Sequence, residues 1–143
     1  MIAGTRRQAL NADLIGRKGS RAELATPALV LDLDAMERNI AAMAAHARAA
    51  NVALRPHAKT HKSVEIAKRQ LAAGAIGFCC AKLGEAEALG AGGIQSLLVT
   101  SPVVTPRAIA RLIALNGRID DLMVVTDSAA NAVQITSAAQ PAR

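Results

Sequence analysis

Lys59 stands in the run Arg55-Pro56-His57-Ala58-Lys59-Thr60-His61-Lys62, just past a short predicted strand, with two imidazoles and a hydroxyl beside it. In a chain that alternates strands and helices, the C-terminal end of a strand is where βα proteins place their chemistry. A lysine amine there becomes a nucleophile when an apolar pocket or a neighbouring cation lowers its pKa, because only the neutral form attacks a carbonyl to give a Schiff base. Pyridoxal phosphate is the cofactor most commonly held in that way.

Around Lys59, His57 reads as a group near such a cofactor, and Thr60 and His61 as loop residues able to hydrogen-bond it or its substrate. His57 and His61 are four residues apart and Glu65 is four further, a spacing that would align metal ligands on a helix. His57 falls at a strand end, so the three share no helical face and no metal site is expected from them. Lys59 and Lys62 also fit an exposed basic loop, the common fate of lysines flanking histidine. Arg55 is mid-strand, pointing into a barrel mouth or marking the strand end. Glu85 and Glu87 open a short helix, where carboxylates suit the helix dipole.

The elements that must position these residues follow a regular rhythm. Residues 1–25 are polar and irregular, broken by Gly16, Lys18, Gly19 and Ser20, and read as an N-terminal arm. Ala28 to Leu31 is a first apolar strand. Asp34 then caps a helix with Glu37 three positions on, and Met36, Ile40, Met43 and Ala47 form its buried stripe. Val52 to Arg55 is a second strand, residues 63–73 a helix stopped by Gly74, and Ile76 to Cys80 a third strand.

Leu83 to Leu89 is predicted as a helix closed by Gly90, Gly92 and Gly93, and Ser96 to Thr100 as a fourth strand. Thr105-Pro106 is a cap and first-turn pair for a helix carrying Ile109, Leu112 and Ile113 up to Asn116-Gly117. Leu122 to Val125 is a fifth strand, and a last helix runs from Ser128 to about Ala138, before Pro141. Continuous apolar strands separated by single helices predict an α/β fold with a parallel sheet covered by helices. A small doubly wound sheet and the first part of an eight-unit barrel both fit. Neither a G-x-G-x-x-G turn nor a Walker loop follows the first strand, so nucleotide-binding versions of the doubly wound sheet lose support.

Composition excludes several classes. The chain has 143 residues, 52% hydrophobic and 20% charged, which argues against disorder. With one Phe and no Trp or Tyr, the core must be built from Ala, Val, Leu and Ile. The formal charge of +6 is spread along the chain without aromatic platforms, so nucleic acid is not expected as a partner. It suits anionic substrates or a phosphate-bearing cofactor instead. No stretch approaches the roughly 20 apolar residues that span a bilayer, so no membrane partner is expected. Arg6 and Arg7 are not followed by the apolar run of a secretory signal, and the cytoplasm is the expected compartment. Cys79 and Cys80, adjacent on a strand, point to opposite faces and read as small core residues of a reducing environment.

Three blocks together carry a resemblance: Thr26-Pro27-Ala28-Leu29-Val30-Leu31-Asp32-Leu33-Asp34 with Asn39-Ile40, the Arg55 to Lys62 run, and Ala81-Lys82-Leu83-Gly84-Glu85-Ala86-Glu87. Over about residues 25–130 the chain resembles the fold-type III pyridoxal-phosphate enzymes of the alanine racemase N-terminal barrel superfamily. It looks most similar to the D-threonine aldolase and D-3-hydroxyaspartate aldolase group, with D-serine dehydratase near. The resemblance implies a (β/α)8 barrel followed by a β-rich domain, with Lys59 as the residue that binds the cofactor. With five predicted strands, residues 26–143 are expected to be a truncated part of that barrel, lacking its last strands and the second domain.

For the full-length enzyme the resemblance implies cleavage of β-hydroxy-D-amino acids such as D-threonine to glycine and an aldehyde. It also implies a divalent metal, Mn or Mg, held by a C-terminal His with Cys or Asp, and a homodimer. The alternatives are a D-serine dehydratase and a non-catalytic truncated barrel with unpaired strand edges.

Overall fold

The computed structural model describes residues 10–140. The readings placed on Arg6, Arg7 and Pro141 lie outside the described residues. The chain divides into two compact units, Met1–Met36 and Glu37–Arg143.

In the first unit, two 3-10 turns, Ala12–Leu14 and Ser20–Glu23, interrupt the irregular segment. Asn11 ties it together. Its Oδ1 accepts from the Ala25 amide at 2.7 Å, and its Nδ2 donates to the Ala25 carbonyl at 3.4 Å. An Arg17–Glu23 ion pair at 3.0 Å adds an exposed tie. Among the described residues Ala28 to Leu31 pairs with no strand, and Leu29 is fully exposed. A strand exists only through the hydrogen bonds of its neighbour, so an apolar run without a partner is not one.

Helix α1 (Leu33–Ala49) starts on Asp32, not Asp34. The Asp32 carboxylate accepts from the Ala35 amide at 2.9 Å and its carbonyl from the Met36 amide at 3.0 Å. This is the usual work of an N-cap, and it leaves Asp34 in the first turn. The buried positions of α1 are Ala44 and Ala47, with Ile40 half-buried, whereas Met43 is 52% exposed. The stripe has rotated toward the alanines because small side chains allow closer approach.

In the second unit, helices α2 (Val64–Ala72), α3 (Leu83–Ala91), α4 (Pro106–Asn116) and α5 (Ala129–Ala139) alternate with strands β1 (Phe78–Cys80), β2 (Ser96–Val99) and β3 (Asp121–Val124). The strands form one parallel sheet in the order β1-β2-β3, with Phe78 opposite Leu97 and Leu97 opposite Leu122. Local chemistry starts the helices as expected. The hydroxyls of Ser63, Thr105 and Ser128 accept from the amides three residues on, at 3.3, 3.2 and 3.1 Å. Helix α3 runs through Gly90 to Ala91 and ends at Gly92.

The segment expected as the strand Val52 to Arg55 is displaced toward the lysine. Its hydrogen bonds to the neighbouring chain are Ile76 N to Leu54 O at 2.9 Å, Cys79 N to Pro56 O at 2.8 Å and Ala58 N to Cys79 O at 2.8 Å. They leave a single parallel bridge, His57 opposite Cys79. The rung two residues earlier would need an N–H from Pro56, which has none, so the ladder cannot lengthen in that direction.

The two faces of the sheet differ. Phe78, Cys80, Leu97 and Val99 are completely buried against the helices, in a core shared with Ala86, Leu89, Ile109, Leu112 and Leu115. The single aromatic of the chain sits at its centre. The alternate residues Cys79, Ser96, Leu98, Thr100 and Met123 face the other way and are half-buried.

Candidate active site

Lys59 lies in a tight turn immediately after the His57–Cys79 bridge, at the C-terminal end of the parallel strands. The turn closes through the Lys62 amide, which donates to the Ala58 carbonyl at 2.8 Å, and Lys62 adopts a left-handed φ of 50°. Ala58 anchors the turn, being 1% exposed in the core. Lys59 and Thr60 are exposed, and among the described residues Lys59 makes no ion pair.

His57 and Lys59 are brought together. The Lys59 amide donates to His57 Nδ1 at 3.2 Å, and His57 Nε2 lies 3.5 Å from Thr100 Oγ1. Thr100 in turn donates its hydroxyl proton to the Cys80 carbonyl at 3.0 Å. Sequence reasoning missed Thr100 as a site residue. Nothing local marks it, since it reaches His57 only because the strands adopt this register.

His61 turns to the other side. Its Nδ1 accepts from the Ser63 amide at 3.1 Å, and its ring meets Phe78 edge-on with centroids 6.2 Å apart. Its Nε2 and the Gln70 Oε1 are buried without hydrogen-bond partners among the described residues. Burial lowers the His61 pKa, against smaller opposing effects of Gln70 and the Ser63 backbone. With His57, Thr60 and Gln70 it lines a cavity of about 410 Å³ bounded on the other side by Ile40, Met43 and Ala44 of α1.

Arg55 neither enters the strand-end site nor marks the end of its strand. Its Nη1 donates to Ser96 Oγ at 3.0 Å and its Nη2 lies 3.6 Å from Asp121 Oδ2, at the opposite, N-terminal ends of β2 and β3. Ser96 Oγ completes the group by donating to Asp121 Oδ2 at 2.6 Å.

Glu85 does more than favour a helix dipole. Its Oε2 accepts from the Ala81 amide at 2.8 Å and the Lys82 amide at 3.4 Å, while its Oε1 meets Lys62 Nζ at 3.4 Å. Desolvation pushes its pKa up, but the Ala81 amide, Lys62 and the Lys82 amide together outweigh it and leave the carboxyl below its ordinary range. Glu85 thus joins the end of β1 to the Lys59 turn. Glu87 instead pairs with Arg111, whose Nε donates at 2.9 Å, linking α3 to α4. Among the described residues no group of His, Cys, Asp or Glu is arranged to hold a metal ion, and no helix is long and apolar enough to cross a membrane.

Comparison with known proteins gives a consistent answer. Residues 31–143 match the family model of the alanine racemase N-terminal domain. The chain is 48% identical over 117 residues to a D-threonine aldolase of an Arthrobacter species, covering 82% of this chain and 31% of that protein. It is 44% identical over 119 residues to the 3-hydroxy-D-aspartate aldolase of Paracoccus denitrificans, with the same two coverages, 82% and 31%. The D-threo-3-hydroxyaspartate dehydratase of Delftia sp. is 43% identical over 114 residues, covering 80% of this chain and 30% of that one.

Among solved structures, that of D-threonine aldolase from Filomicrobium marinum superposes with a TM-score of 0.80 at 43% identity, covering 82% of this chain and 32% of that chain. The chain therefore spans under a third of the length of the curated relatives it matches. The resemblance read from the Lys59 block and the α/β barrel portion it implied are both upheld.

Proposed function

The chain belongs to the alanine racemase N-terminal domain family, and on that premise we propose that it carries the cofactor lysine of a pyridoxal-phosphate-dependent lyase acting on β-hydroxy-D-amino acids. The reaction is cleavage of the bond between the α and β carbons of D-threonine or D-3-hydroxyaspartate, giving glycine and an aldehyde. The observation that carries the reading is the position of Lys59: exposed, without an ion pair among the described residues, in a turn at the C-terminal ends of parallel strands.

The residues fit the cofactor. Lys59 Nζ would attach it at the aldehyde carbon, and the imidazole of His57 stands beside that turn with its ring held at both nitrogens. Thr60, and His61 through the cavity that it lines with His57, belong to the same proposal as residues able to hydrogen-bond the cofactor or substrate. Pyridoxal phosphate, when bound, supplies an electron sink for the pair released at the α carbon. The chain's own part is to present the amine, to hold its turn through Glu85 and Lys62, and to keep His57 oriented.

A divalent cation, Mn or Mg, acting on the β-hydroxyl as a Lewis acid, a homodimer and a cytoplasmic location are proposed for an enzyme of the relatives' full length. So is the division into an arm of residues 1–25 and a barrel portion from residue 26. A second reading is favoured by the similarity to a dehydratase: loss of the α proton and the β-hydroxyl as water, as a D-serine dehydratase would do.

The test is reduction of the protein with borohydride in the presence of pyridoxal phosphate, followed by peptide mapping and a D-threonine assay. Label at Lys59 with glycine and acetaldehyde formed supports the aldolase, and ammonia from D-serine supports the dehydratase. Absent or scattered label would leave a barrel portion without catalysis and overturn the proposal.

A further inference from the structure

At the strand ends a hydrogen-bonded series runs through Lys59, His57, Thr100 and Cys80, and the chemistry of its groups fixes its direction. A backbone amide only donates, so the His57 Nδ1 that faces the Lys59 amide at 3.2 Å must be the unprotonated nitrogen. The proton of the neutral ring is then on Nε2, the nitrogen 3.5 Å from Thr100 Oγ1. The Thr100 hydroxyl has already spent its own proton on the Cys80 carbonyl at 3.0 Å. Its lone pairs are what remain for the His57 Nε2–H. The Thr100 amide donates to the same carbonyl at 2.8 Å, so the hydroxyl is anchored to the strand end by its own backbone.

We propose that Thr100 is a positioning residue for Lys59: by accepting the His57 Nε2–H it holds the ring in one tautomer, keeps Nδ1 for the Lys59 amide, and so sets the first residue of the turn from which the amine projects. The inference deepens the reading of Lys59 as the cofactor lysine and rests on it only for its cofactor readout. Because the Lys59 side chain is exposed and unpaired among the described residues, the backbone of the turn is what defines where its amine can reach. The Lys62 N–Ala58 O bond at 2.8 Å spans the turn from end to end, and the His57 ring adds a second hold at the Lys59 amide.

The experiment is a set of long-range proton–nitrogen spectra of the histidine rings, with amide exchange at Lys59, on the protein and on Thr100→Val and Thr100→Ser. The wild type and Thr100→Ser are expected to show His57 as the Nε2–H tautomer. Thr100→Val, which keeps the shape but removes the acceptor, should give a mixture of tautomers and faster exchange of the Lys59 amide. It should also weaken pyridoxal phosphate capture at Lys59 about fivefold, the size of one lost hydrogen bond.

An Nδ1–H wild-type ring, a Thr100→Val protein with wild-type spectra, or a Thr100→Ser protein as impaired as Thr100→Val would each overturn the inference. Should wild-type Lys59 capture no cofactor, the proposed function fails by itself. The tautomer and exchange measurements need no cofactor and still decide the role of Thr100.

Discussion

The guanidinium of Arg55, together with the Ser96 carbonyl and Cβ, fills the space that a side chain at Gly77 would require. By the register of the sheet, Arg55, Gly77, Ser96 and Asp121 form one row across neighbouring strands. Arg55 therefore passes over a residue with no Cβ to reach the hydroxyl and carboxylate beyond it. Gly77 also holds a φ of +150°, a conformation L side chains rarely adopt. Gly77→Ala combines overlap with backbone strain and should cost about 2–4 kcal/mol, read from urea unfolding. In Arg55→Ala/Gly77→Ala the combined cost should be less than the sum of the two single costs, since truncating Arg55 removes its part of the overlap, while the crowding by the Ser96 carbonyl and Cβ and the backbone strain remain. Simple additivity would show that the two residues do not share the space.

Glu85 contributes stability that depends on its charge. Its folded pKa lies below the ordinary 4.5, so the unfolded chain takes up the proton first as pH falls. The contribution is full above the ordinary carboxyl value and is lost as pH drops through the lower folded value. Glu85→Gln, which keeps an acceptor for the Ala81 and Lys82 amides but loses the charge, should flatten this part of the stability profile, from the ordinary 4.5 downward. Equal profiles for the two proteins would refute it.

The two adjacent cysteines should differ sharply in reactivity. Cys80 is completely buried, and burial, with Glu85 and Cys79 adding to it, pushes its thiol up to about 12. Cys79 is half-buried on the other face of the strand. Iodoacetamide at pH 8 should alkylate Cys79 and leave Cys80 untouched until the protein is unfolded, which peptide mass mapping will read directly.

Lys59→Ala should leave folding nearly unchanged, within about 0.5 kcal/mol by thermal or urea unfolding, because the residue is exposed and unpaired among the described residues. The same substitution should abolish reducible pyridoxal phosphate capture at this position. A large loss of stability would mean that Lys59 is a structural residue of the turn.

Thr105→Ala should lower stability by about 1 kcal/mol through the lost bond to the Ala108 amide, whereas Thr105→Ser should restore most of it. Urea unfolding of the three proteins separates a capping hydroxyl from a packing methyl group.

Where a residue acts on its own neighbours in the chain, the one-dimensional text was readable. Ser63, Thr105 and Ser128 start helices because a hydroxyl can reach an amide three residues away, and Pro106 follows its cap for the same local reason. Lys59 was legible because a lysine just past a short apolar run must emerge at a strand end. Asp32 was missed as the cap of α1, with Asp34 read in its place, because two aspartates two residues apart offer the same chemistry and only the path of the backbone chooses between them. The strand boundaries before Lys59 shifted because Pro56 withholds an N–H, an effect visible only once its partner strand is known.

By itself, then, the amino-acid order determined the alternation of helices with parallel strands, the starts of the later helices and the place of Lys59, all of which follow from periodicity and short-range hydrogen bonding. Only the tertiary structure decided that Thr100 meets His57 across 43 residues, that Arg55 crosses Gly77 to reach Asp121, and that Glu85 reaches Lys62. Those meetings depend on the register of strands far apart in the chain, and register is set by which hydrogen-bond rungs and buried faces coincide in space rather than by any residue's neighbours.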